Sequence, residues 1–270
     1  MRHRPWEESA DFAIGLAPIE EARWLEGGEA DPAARKDPLY SEHHDLVWGE
    51  TEGSRPGQLE VAALLGVTPG RDLPPLYAAA RTVADDLVLV EKTNGQWRVR
   101  AISLSAPTFF TAREVLGQDL AHIHAPVNGF NDRFLARLLR IFDGLRPGLI
   151  LQRRNWSVVN SDQSFTPFSA PIRAGIGEIA SGDVGRALFT RVERQTVRRL
   201  PQTGGVLFTI RVWLTPFQAL TESPERLAAF AGAWRAAAPE FAAYKGFHLY
   251  AELVEGFLRA HGESHSVNGA

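Results

Sequence analysis

Residues 86–104 read DLVLVEKTNGQWRVRAISL, and this stretch sets the expected fold. An apolar run from Asp86 to Glu91 is followed by Asn94-Gly95 and then by a second β-rich run over 97–104. An Asn-Gly pair between two such runs predicts a β-hairpin, because the tight turn requires positive φ angles that these residues tolerate. The stretch therefore predicts two antiparallel strands joined by a short turn.

Strand signals recur later in the chain, over 149–159, 187–200 and 205–214. The segment Pro201-Gln-Thr-Gly-Gly205 joins the last two and suits a second antiparallel hairpin. Helical spacing of apolar residues predicts helices near 58–66, 74–86, 131–143 and 224–259. Because the strands come in hairpins and do not alternate with helices, we expect an α+β fold, an antiparallel sheet flanked by helices with N- and C-terminal helical extensions.

Gly and Pro interrupt every pattern before residue 58. We therefore expect residues 1–57 to form an irregular N-terminal wrap around a single domain over 58–260. Residues 261–270 carry no periodic pattern and are expected to be a flexible tail.

Composition narrows the class of protein. The 270 residues are 44% hydrophobic, which is enough for a sizeable core without disulfide or metal support. The chain has no cysteine, which excludes a thiolate nucleophile, a cysteine zinc site, a cysteine-ligated iron–sulfur cluster and a thiolate-ligated heme. The Gly-x-Gly-x-x-Gly, P-loop, Gly-x-Ser-x-Gly and His-Glu-x-x-His motifs are also absent.

Charge and hydropathy indicate which partners and which compartment to expect. The formal net charge is −3 and the pI is near 6.3, so the basic footprint of a nucleic-acid-binding protein is not expected. The apolar runs are shorter than the roughly 20 residues that cross a bilayer, and no apolar core follows the basic start. We expect a cytoplasmic protein that binds neither nucleic acid nor membrane.

His122 and His124 form the first candidate site, in the segment Leu120-Ala-His-Ile-His-Ala-Pro126. On an extended backbone, which Pro126 favours at Ala125, both rings would point to one face. Such a pair could ligate a metal, or one ring could ligate heme iron while the other caps a loop. A loop or packing role for both rings is the alternative.

A second candidate site follows from strand alternation over 152–157. Arg153, Asn155 and Ser157 share one face of the predicted strand, while Trp156 lies on the other. A guanidinium, an amide and a hydroxyl together suit an anionic or polar ligand. A solvated strand face above a buried Trp156 is the alternative.

Arginines are concentrated over 191–199, where alternation assigns the polar residues to two faces. One face carries Arg191, Glu193 and Gln195; the opposite face carries Arg194, Thr196 and Arg198. Neither face is apolar, although one should be buried in a one-sided sheet. The arginines are therefore expected to pair internally or with an anionic ligand, unless they form a surface charge ladder.

These segments, taken in order, resemble a known family. The matching stretches are Gly15-Leu-Ala-Pro18-Ile with Trp24-Leu25, Ile123-His-Ala-Pro-Val127, Arg153-Arg-Asn-Trp-Ser157, Arg191-Val-Glu-Arg-Gln-Thr196 with Arg199-Leu-Pro201, and Leu207-Phe-Thr-Ile-Arg211. Together they resemble the heme-carrying α subunit of the heme-dependent oxidative N-demethylase family. The resemblance spans roughly residues 12–220.

The resemblance implies a PAS-like heme-binding domain over 58–260 and a bound heme b. It implies a metal-binding oxidoreductase that uses O₂ to oxidise a small amine by N-demethylation or a related oxidation, releasing formaldehyde. In the family's archetype, NADPH supplies electrons through a separate reductase with flavin and iron–sulfur centres, and formaldehyde passes to a folate-binding partner. A non-catalytic PAS-like sensor of heme or another ligand, or a heme-free structural subunit, is the alternative.

The resemblance also assigns residues. His124 matches the family's motif histidine and is the expected axial iron ligand. Cofactor-binding positions that could hold the propionates or line the pocket are Arg153, Asn155, Arg191, Arg194 and Gln195. Asp119, Asp132 and Glu193 remain candidate distal acids.

Two departures from the family pattern flank the presumed heme pocket, and both bear on substrate identity. Ser105-Ala-Pro-Thr-Phe-Phe110 lacks the family's tryptophan, and Pro126-Val-Asn128 replaces Pro-Val-Pro. Without cysteine, any iron here requires a nitrogen or oxygen ligand, and electrons must come from outside the chain.

Overall fold

The computed structural model of the chain describes residues 4–7, 15–125 and 131–262. Seven strands run through them: β1 Ala17–Ile19, β2 Trp48–Glu50, β3 Asp86–Thr93, β4 Gln96–Ser103, β5 Ile150–Val159, β6 Phe189–Arg199 and β7 Val206–Pro216. They form one sheet in the order β1-β5-β6-β7-β3-β4-β2. Mixed helix and antiparallel sheet confirm the expected α+β class.

The helices of the described residues are mostly short. They are α1 Pro32–Glu42, α2 His44–Val47, α3 Arg55–Leu64, α4 Pro75–Ala80, α5 Ala112–Val115, α6 Leu120–His124, α7 Ala136–Gly144, α8 Ser169–Ala174, α9 Val184–Ala187, α10 Pro224–Ala236, α11 Pro239–Tyr244 and α12 Phe247–Gly262. A π-helical turn, Asn131–Leu135, leads directly into α7. Short 3₁₀ turns cover Pro5–Glu7, Glu21–Arg23, Gly175–Glu178, Ser181–Asp183 and Phe217–Glu222.

The β3–β4 hairpin is confirmed in its register and its turn. Thr93 pairs with Gln96, so Asn94 and Gly95 form the two-residue loop. Their φ angles are 51° and 79°, the left-handed conformation that this type of turn requires. The local sequence is thus sufficient to set this hairpin.

The connection between β6 and β7 is held by a buried carboxylate of α3. Glu60 accepts hydrogen bonds from the backbone N–H groups of Gln202 and Thr203, each at 2.7 Å, and from the Thr203 hydroxyl at 2.6 Å. Charge-assisted bonds to backbone N–H groups are stronger than neutral ones, so Glu60 fixes the loop that the Pro-Gly pattern predicts.

Three expectations for secondary structure are wrong. Residues 1–57 are not irregular throughout, since β1, α1, α2 and β2 lie there, and Asp31 caps α1 by accepting from the Ala34 N–H. The helix expected over 74–86 ends at Ala80, because the buried Lys36 ammonium binds the carbonyls of Ala80, Val83 and Asp85. The helix expected over 224–259 is divided into α10, α11 and α12.

The break between α10 and α11 follows from proline chemistry. Pro239 is the first residue of α11, and the preceding Ala238 is extended with ψ 141°. A proline disfavours helical geometry in the residue before it, but is well tolerated at a helix start. Gly246, with φ 68°, then ends α11 and lets α12 begin at Phe247.

The chain divides into two compact units, and the boundaries fall within β5, β6 and β7. Unit 1 comprises 1–13, 154–193 and 212–270, and its core is rich in aromatic residues. There Trp234 stacks on Phe247 with ring centroids 4.3 Å apart, and Trp156 lies 5.0 Å from Phe247. Unit 2 comprises 14–153 and 194–211 and contains the predicted hairpin. The expected division of the chain into an N-terminal wrap, a single domain and a flexible tail stays a prediction.

Candidate functional site

The segment carrying His122 and His124 is helical, so the expectation of an extended backbone is wrong. It forms α6, whose N-terminus is capped by Asp119: the carboxylate accepts from the His122 backbone N–H at 2.8 Å. Aspartate is a favoured N-cap because its oxygen satisfies a backbone donor that the first turn leaves open. Ala125, expected to be extended before Pro126, has φ −55° and ψ −35°, which is helical.

The helix separates the two rings. Residues two apart on an α-helix point roughly 200° away from each other, not to one face. His122 is exposed, whereas His124 is half-buried. A shared His-x-His metal site on one face is therefore not formed, and His124 is the ring that faces the protein.

His124 is held in one tautomer. Its Nδ1 lies 2.7 Å from the carbonyl oxygen of Leu120, one turn earlier in α6. A carbonyl only accepts hydrogen bonds, so Nδ1 carries the proton and Nε2 carries the lone pair of the neutral ring. Iron-binding and zinc-binding histidines characteristically donate the second ring N–H to a carbonyl or carboxylate in this way.

The surroundings of His124 favour the neutral ring. Burial lowers its pKa from the ordinary value, the hydrogen bond to Leu120 acts in the opposite direction, and the positive charge of Arg153 lowers the pKa further. Since metals bind the unprotonated imidazole, this environment keeps the ring in its ligating form at neutral pH.

Arg153 is a predicted cofactor residue whose positive charge acts on the pKa of His124. Its side chain is half-buried on β5, and its charge acts on the His124 ring within unit 2. A cation beside a candidate iron ligand is where a heme propionate would be neutralised.

Asn155, Glu193 and Arg191 form a second polar group, which belongs to unit 1. The Asn155 amide donates to the Glu193 carboxylate at 3.4 Å, and Arg191 Nε lies 3.9 Å from the same carboxylate. Arg191 is fully buried and also donates to the Ser164 carbonyl at 3.2 Å. The predicted sharing of one face by Arg191 and Glu193 agrees with this arrangement.

Arg194 faces the opposite way and is fully buried in unit 2. Its Nε donates to Gln152 Oε1 at 2.5 Å and lies 3.3 Å from Glu26 Oε1. Its two terminal nitrogens donate to the backbone carbonyls of Trp24, at 2.7 Å, and of Arg23. These bonds account for the burial of the cation and tie residues 23–26 to β6; its assignment to a heme propionate stays a prediction.

Residues 21–26 cover the same face of β6 further along. The Trp24 indole N–H donates to the Thr196 hydroxyl at 3.1 Å, and the Arg198 guanidinium lies 4.1 Å from the Trp24 ring centre. Arg198 also pairs with Glu21 at 2.7 Å. The expectation that the arginines of β6 pair internally is therefore confirmed for Arg194 and Arg198.

The structure also gives the surroundings of Gln195 and of the candidate acids. Gln195 is half-buried on β6. Asp119 serves as the cap of α6 and lies 3.8 Å from Arg98. Asp132 is exposed, and Glu193 lies in unit 1. Residues 126–128, which the comparison with the family pattern used, fall outside the described residues.

Asp85 is a buried ionisable group that sequence patterns did not single out. It is 1% exposed, and neither carboxylate oxygen has a hydrogen-bond partner among the described residues. Burial raises its pKa to about 6, although the charges of Arg211, Arg194 and Lys36 oppose the shift. The signal that could have found it is the acidic pair Asp85-Asp86 directly before a buried apolar strand.

Two searches of the described residues limit other kinds of site. No group of three or more His, Asp or Glu side chains in 4–7, 15–125 and 131–262 could hold a metal ion. A heme differs from such a site in requiring one axial side chain, which His124 can supply. None of the helices in that part of the chain is both long enough and apolar enough to span a membrane.

Comparison with protein families identifies a match over most of the chain. Residues 43–255 match the family described as "Haem-dependent oxidative N-demethylase, alpha subunit-like". The match covers most of the chain and includes α6 with His124, β5 with Arg153, and β6. The chain therefore belongs to the haem-dependent oxidative N-demethylase alpha subunit-like family.

Proposed function

We propose that this chain is a heme-dependent oxidoreductase that uses O₂ to demethylate, or similarly oxidise, a small amine. Family membership points to a heme-dependent oxidative enzyme. The observation that carries the proposal is the bond from His124 Nδ1 to the Leu120 carbonyl. It supports a neutral imidazole that is protonated on Nδ1 and carries its lone pair on Nε2, the form that ligates iron.

The cofactor would be heme b, and His124 would be the residue that ligates its iron. Bound heme iron would supply the oxidising centre by reacting with O₂. The chain's contribution is to hold the ligand ring in one orientation through α6, to keep it unprotonated by burial, and to place the Arg153 charge beside it. Arg153 is the first choice for binding a propionate carboxylate.

The other cofactor-binding assignments extend this proposal. Asn155, Arg191 and Glu193 form a polar group in which the charges of Arg191 and Glu193 balance. Arg194 and Gln195 are the adjoining residues of β6. On the family resemblance of the β5 and β6 motifs, we assign Asn155, Arg191, Arg194 and Gln195 as cofactor-binding residues.

The fold and the reaction partners complete the proposal. The antiparallel sheet with flanking helices supports a PAS-like fold. Demethylation of an amine by O₂ consumes two electrons and two protons, and yields formaldehyde, water and the demethylated amine. The chain has no cysteine to bind a cluster of its own, so a separate reductase supplies the electrons. We place the reaction in the cytoplasm.

The test is formaldehyde release by the heme-loaded protein. Purified protein from heme-supplemented cells is supplied with a reductant, O₂ and dimethylamine or another small N-methylated secondary amine. We expect formaldehyde in equal amount to the demethylated amine, dependent on O₂ and absent with His124→Ala. A heme-loaded protein that releases no formaldehyde from any such amine would favour the sensor interpretation over the enzyme.

A further inference from the structure

Four aromatic rings from α1, α2, β2 and α4 pack against one another in unit 2. The rings of Tyr40 and Tyr77 are stacked, with centroids 3.8 Å apart and planes inclined by 22°. The Trp48 ring centre lies 6.0 Å from each of them, and the His44 ring centre lies 4.8 Å from that of Tyr40. We call Tyr40, His44, Trp48 and Tyr77 the aromatic cluster.

The aromatic cluster extends from the interior of unit 2 to solvent. Tyr77 is 3% exposed and Trp48 is 6% exposed. Tyr40 is half-buried, and His44 is exposed. The stacked and tilted rings therefore form a continuous path of aromatic contacts between a buried tyrosine and the surface.

Strand β4 links the aromatic cluster to the helix that carries His124. Trp48 pairs with Ser103 in β4, and Arg98 of the same strand forms a β-bridge with Asp119, the N-cap of α6. The cluster and the candidate iron ligand thus belong to one compact unit and are linked through one strand.

The Tyr77 hydroxyl is bonded to a charged base. It donates to Asp37 Oδ1 at 2.8 Å, and Arg81 binds both oxygens of the same carboxylate, at 2.8 Å from Nε and 2.7 Å from a terminal nitrogen. The bonds from Arg81 lower the pKa of Asp37, so the carboxylate is ionised at neutral pH. Burial and the bond to Asp37 raise the pKa of Tyr77, so the phenol keeps its proton.

Packing alone does not require this arrangement. A buried hydroxyl needs only some acceptor, as Tyr250 shows: it is also 3% exposed, and it donates to the neutral amide oxygen of Asn160 at 2.8 Å. Tyr77 has instead an ionised carboxylate on its hydroxyl and a second phenol stacked on its ring. The pair of Tyr77 and Asp37 is therefore equipped to move a proton.

Such a pair favours the loss of one electron from the phenol. An oxidised phenol is a strong acid, so a tyrosine gives up an electron much more readily when a base within hydrogen-bond distance takes its proton at the same time. Asp37 is that base, and because it is half-buried it stays in contact with solvent and can return the proton later.

We propose that Tyr77 is a redox-active tyrosine through which oxidising equivalents leave the protein when no amine is present to be oxidised. A one-electron oxidant generated at the heme takes one electron from Tyr77 and is reduced by it. The hydroxyl O–H bond breaks, its proton passes to Asp37, and a neutral tyrosyl radical remains beside a protonated carboxyl. A small external reductant such as ascorbate then returns one electron through the stacked Tyr40 ring, and Asp37 returns the proton.

The proposal rests on the function proposed above only for the source of the oxidant. An enzyme that activates O₂ with heme needs a route for oxidising equivalents that do not reach a substrate, since these would otherwise damage the cofactor or the protein around it. A path of aromatic rings that ends at an exposed side chain meets this need without any movement of the fold.

The first experiment detects the radical. Heme-loaded protein is mixed with hydrogen peroxide without amine, frozen, and measured by electron paramagnetic resonance. We expect a tyrosyl signal in the wild type that Tyr77→Phe loses. Asp37→Asn should also lose most of it, because the amide cannot take the proton although the ring stays in place. Circular dichroism and unfolding temperature establish that both variants are folded.

Tyr250→Phe is the matched control, since it removes an equally buried tyrosine whose hydroxyl has a neutral acceptor. It is expected to keep the signal. A tyrosyl signal that persists in Tyr77→Phe, or that Tyr250→Phe loses equally, would overturn the assignment to Tyr77. A full signal in Asp37→Asn would overturn the role of the carboxylate as proton acceptor.

A second readout tests the protective role. Under the same conditions, the Soret band of Tyr77→Phe should bleach faster than that of the wild type and of Tyr250→Phe, because the oxidising equivalents stay near the heme. Equal bleaching rates in all three proteins would overturn the escape route.

A third arm separates this proposal from the function beneath it. Photo-oxidised ruthenium tris(bipyridine) removes electrons from the full chain without heme, and Tyr244→Phe serves as the background because it removes an exposed phenol. A radical that Tyr77→Phe then abolishes supports a redox-active Tyr77 even if the chain proves to hold no heme, which would overturn the proposed function. A heme-loaded chain that demethylates an amine but forms no Tyr77 radical with either oxidant overturns this proposal and leaves the function standing.

Discussion

Replacing Asp85 with asparagine removes a charge that the fold buries without a hydrogen-bond partner among the described residues. Asparagine has nearly the same shape, so the substitution changes ionisation and leaves packing almost intact. Three cations partly compensate the carboxylate: Arg211, Arg194 and Lys36 all lower its pKa. Burial is nevertheless the larger effect and raises the pKa from 3.8 to about 6.

The direction of the pH effect follows from linkage. Between about pH 4 and about pH 6, the folded protein holds the Asp85 proton while the unfolded chain has released it. The free energy of unfolding therefore falls as pH rises through this interval, and the loss is complete above the folded pKa. A pKa difference of this size corresponds to about 3 kcal/mol, of which about 2 kcal/mol develops between pH ~4.5 and pH ~7.5.

Urea unfolding of wild type and Asp85→Asn at these two pH values measures the effect. We expect the stability of Asp85→Asn relative to wild type to be about 2 kcal/mol more favourable at the higher pH. Asp72→Asn, at an exposed loop position, is the control for the loss of one carboxylate. Equal effects of Asp85→Asn at both pH values would refute the assignment of a raised pKa to this carboxyl.

The remaining predictions concern packing, a buried cation and the candidate ligand. A Cβ at Gly57 would overlap the Glu91 carboxylate, whereas a Cβ at Gly232 in α10 would have no neighbouring atom within 4 Å. Thermal unfolding should therefore show that Gly57→Ala destabilises the protein by about 1–3 kcal/mol and that Gly232→Ala stabilises it by up to about 1 kcal/mol. The reverse order would contradict the packing. Arg194→Gln should lower the free energy of unfolding in urea by about 3 kcal/mol or more, because the buried guanidinium binds several carbonyl and carboxyl oxygens; a change below about 1 kcal/mol would show that these bonds are not formed. In the heme-free protein, NMR titration should give His124 a pKa below the ordinary value of 6.5, and a higher pKa would argue against its burial.

The sheet was largely predictable because its signals are local. Asn94-Gly95 selects a hairpin turn by backbone conformation alone, and the apolar runs beside it supply the two strands. The second hairpin was predicted from the segment 201–205 in the same way. Such features require only a few neighbouring residues, which a single sequence displays.

The helical conformation around His124 was not predicted. The N-cap interaction of Asp119 favours a helix, whereas Pro126 favours an extended backbone in the residue before it. Asp119 lies three residues before His122 and accepts its backbone N–H, which starts α6. An aspartate three residues before the residue whose N–H it accepts is a helix-start signal that the sequence displays. The segment is short, however, and Pro126 favoured the interpretation of an extended backbone. The helix gives His124 the bond to Leu120 that an extended segment could not make.

The partners of the buried arginines depend on contacts between distant parts of the chain. Arg194 binds Trp24 and Arg23, some 170 residues earlier in sequence. Alternation along β6 correctly separated Arg194, Thr196 and Arg198 from Glu193, but it carries no information about the segment that covers them. The same reason explains why Asp85 was not singled out, since the cations that act on it come from α1, β6 and β7.

The most direct test of the central claim is the visible absorption spectrum of protein purified from heme-supplemented cells. Wild type and His122→Ala are expected to show a Soret band, because the exposed His122 ring has no part in ligation. His124→Ala, shown to be folded by circular dichroism, should lose the band, and added imidazole should restore it by replacing the missing ligand. A Soret band that persists unchanged in His124→Ala, or one that disappears only in His122→Ala, would contradict His124 as the axial ligand.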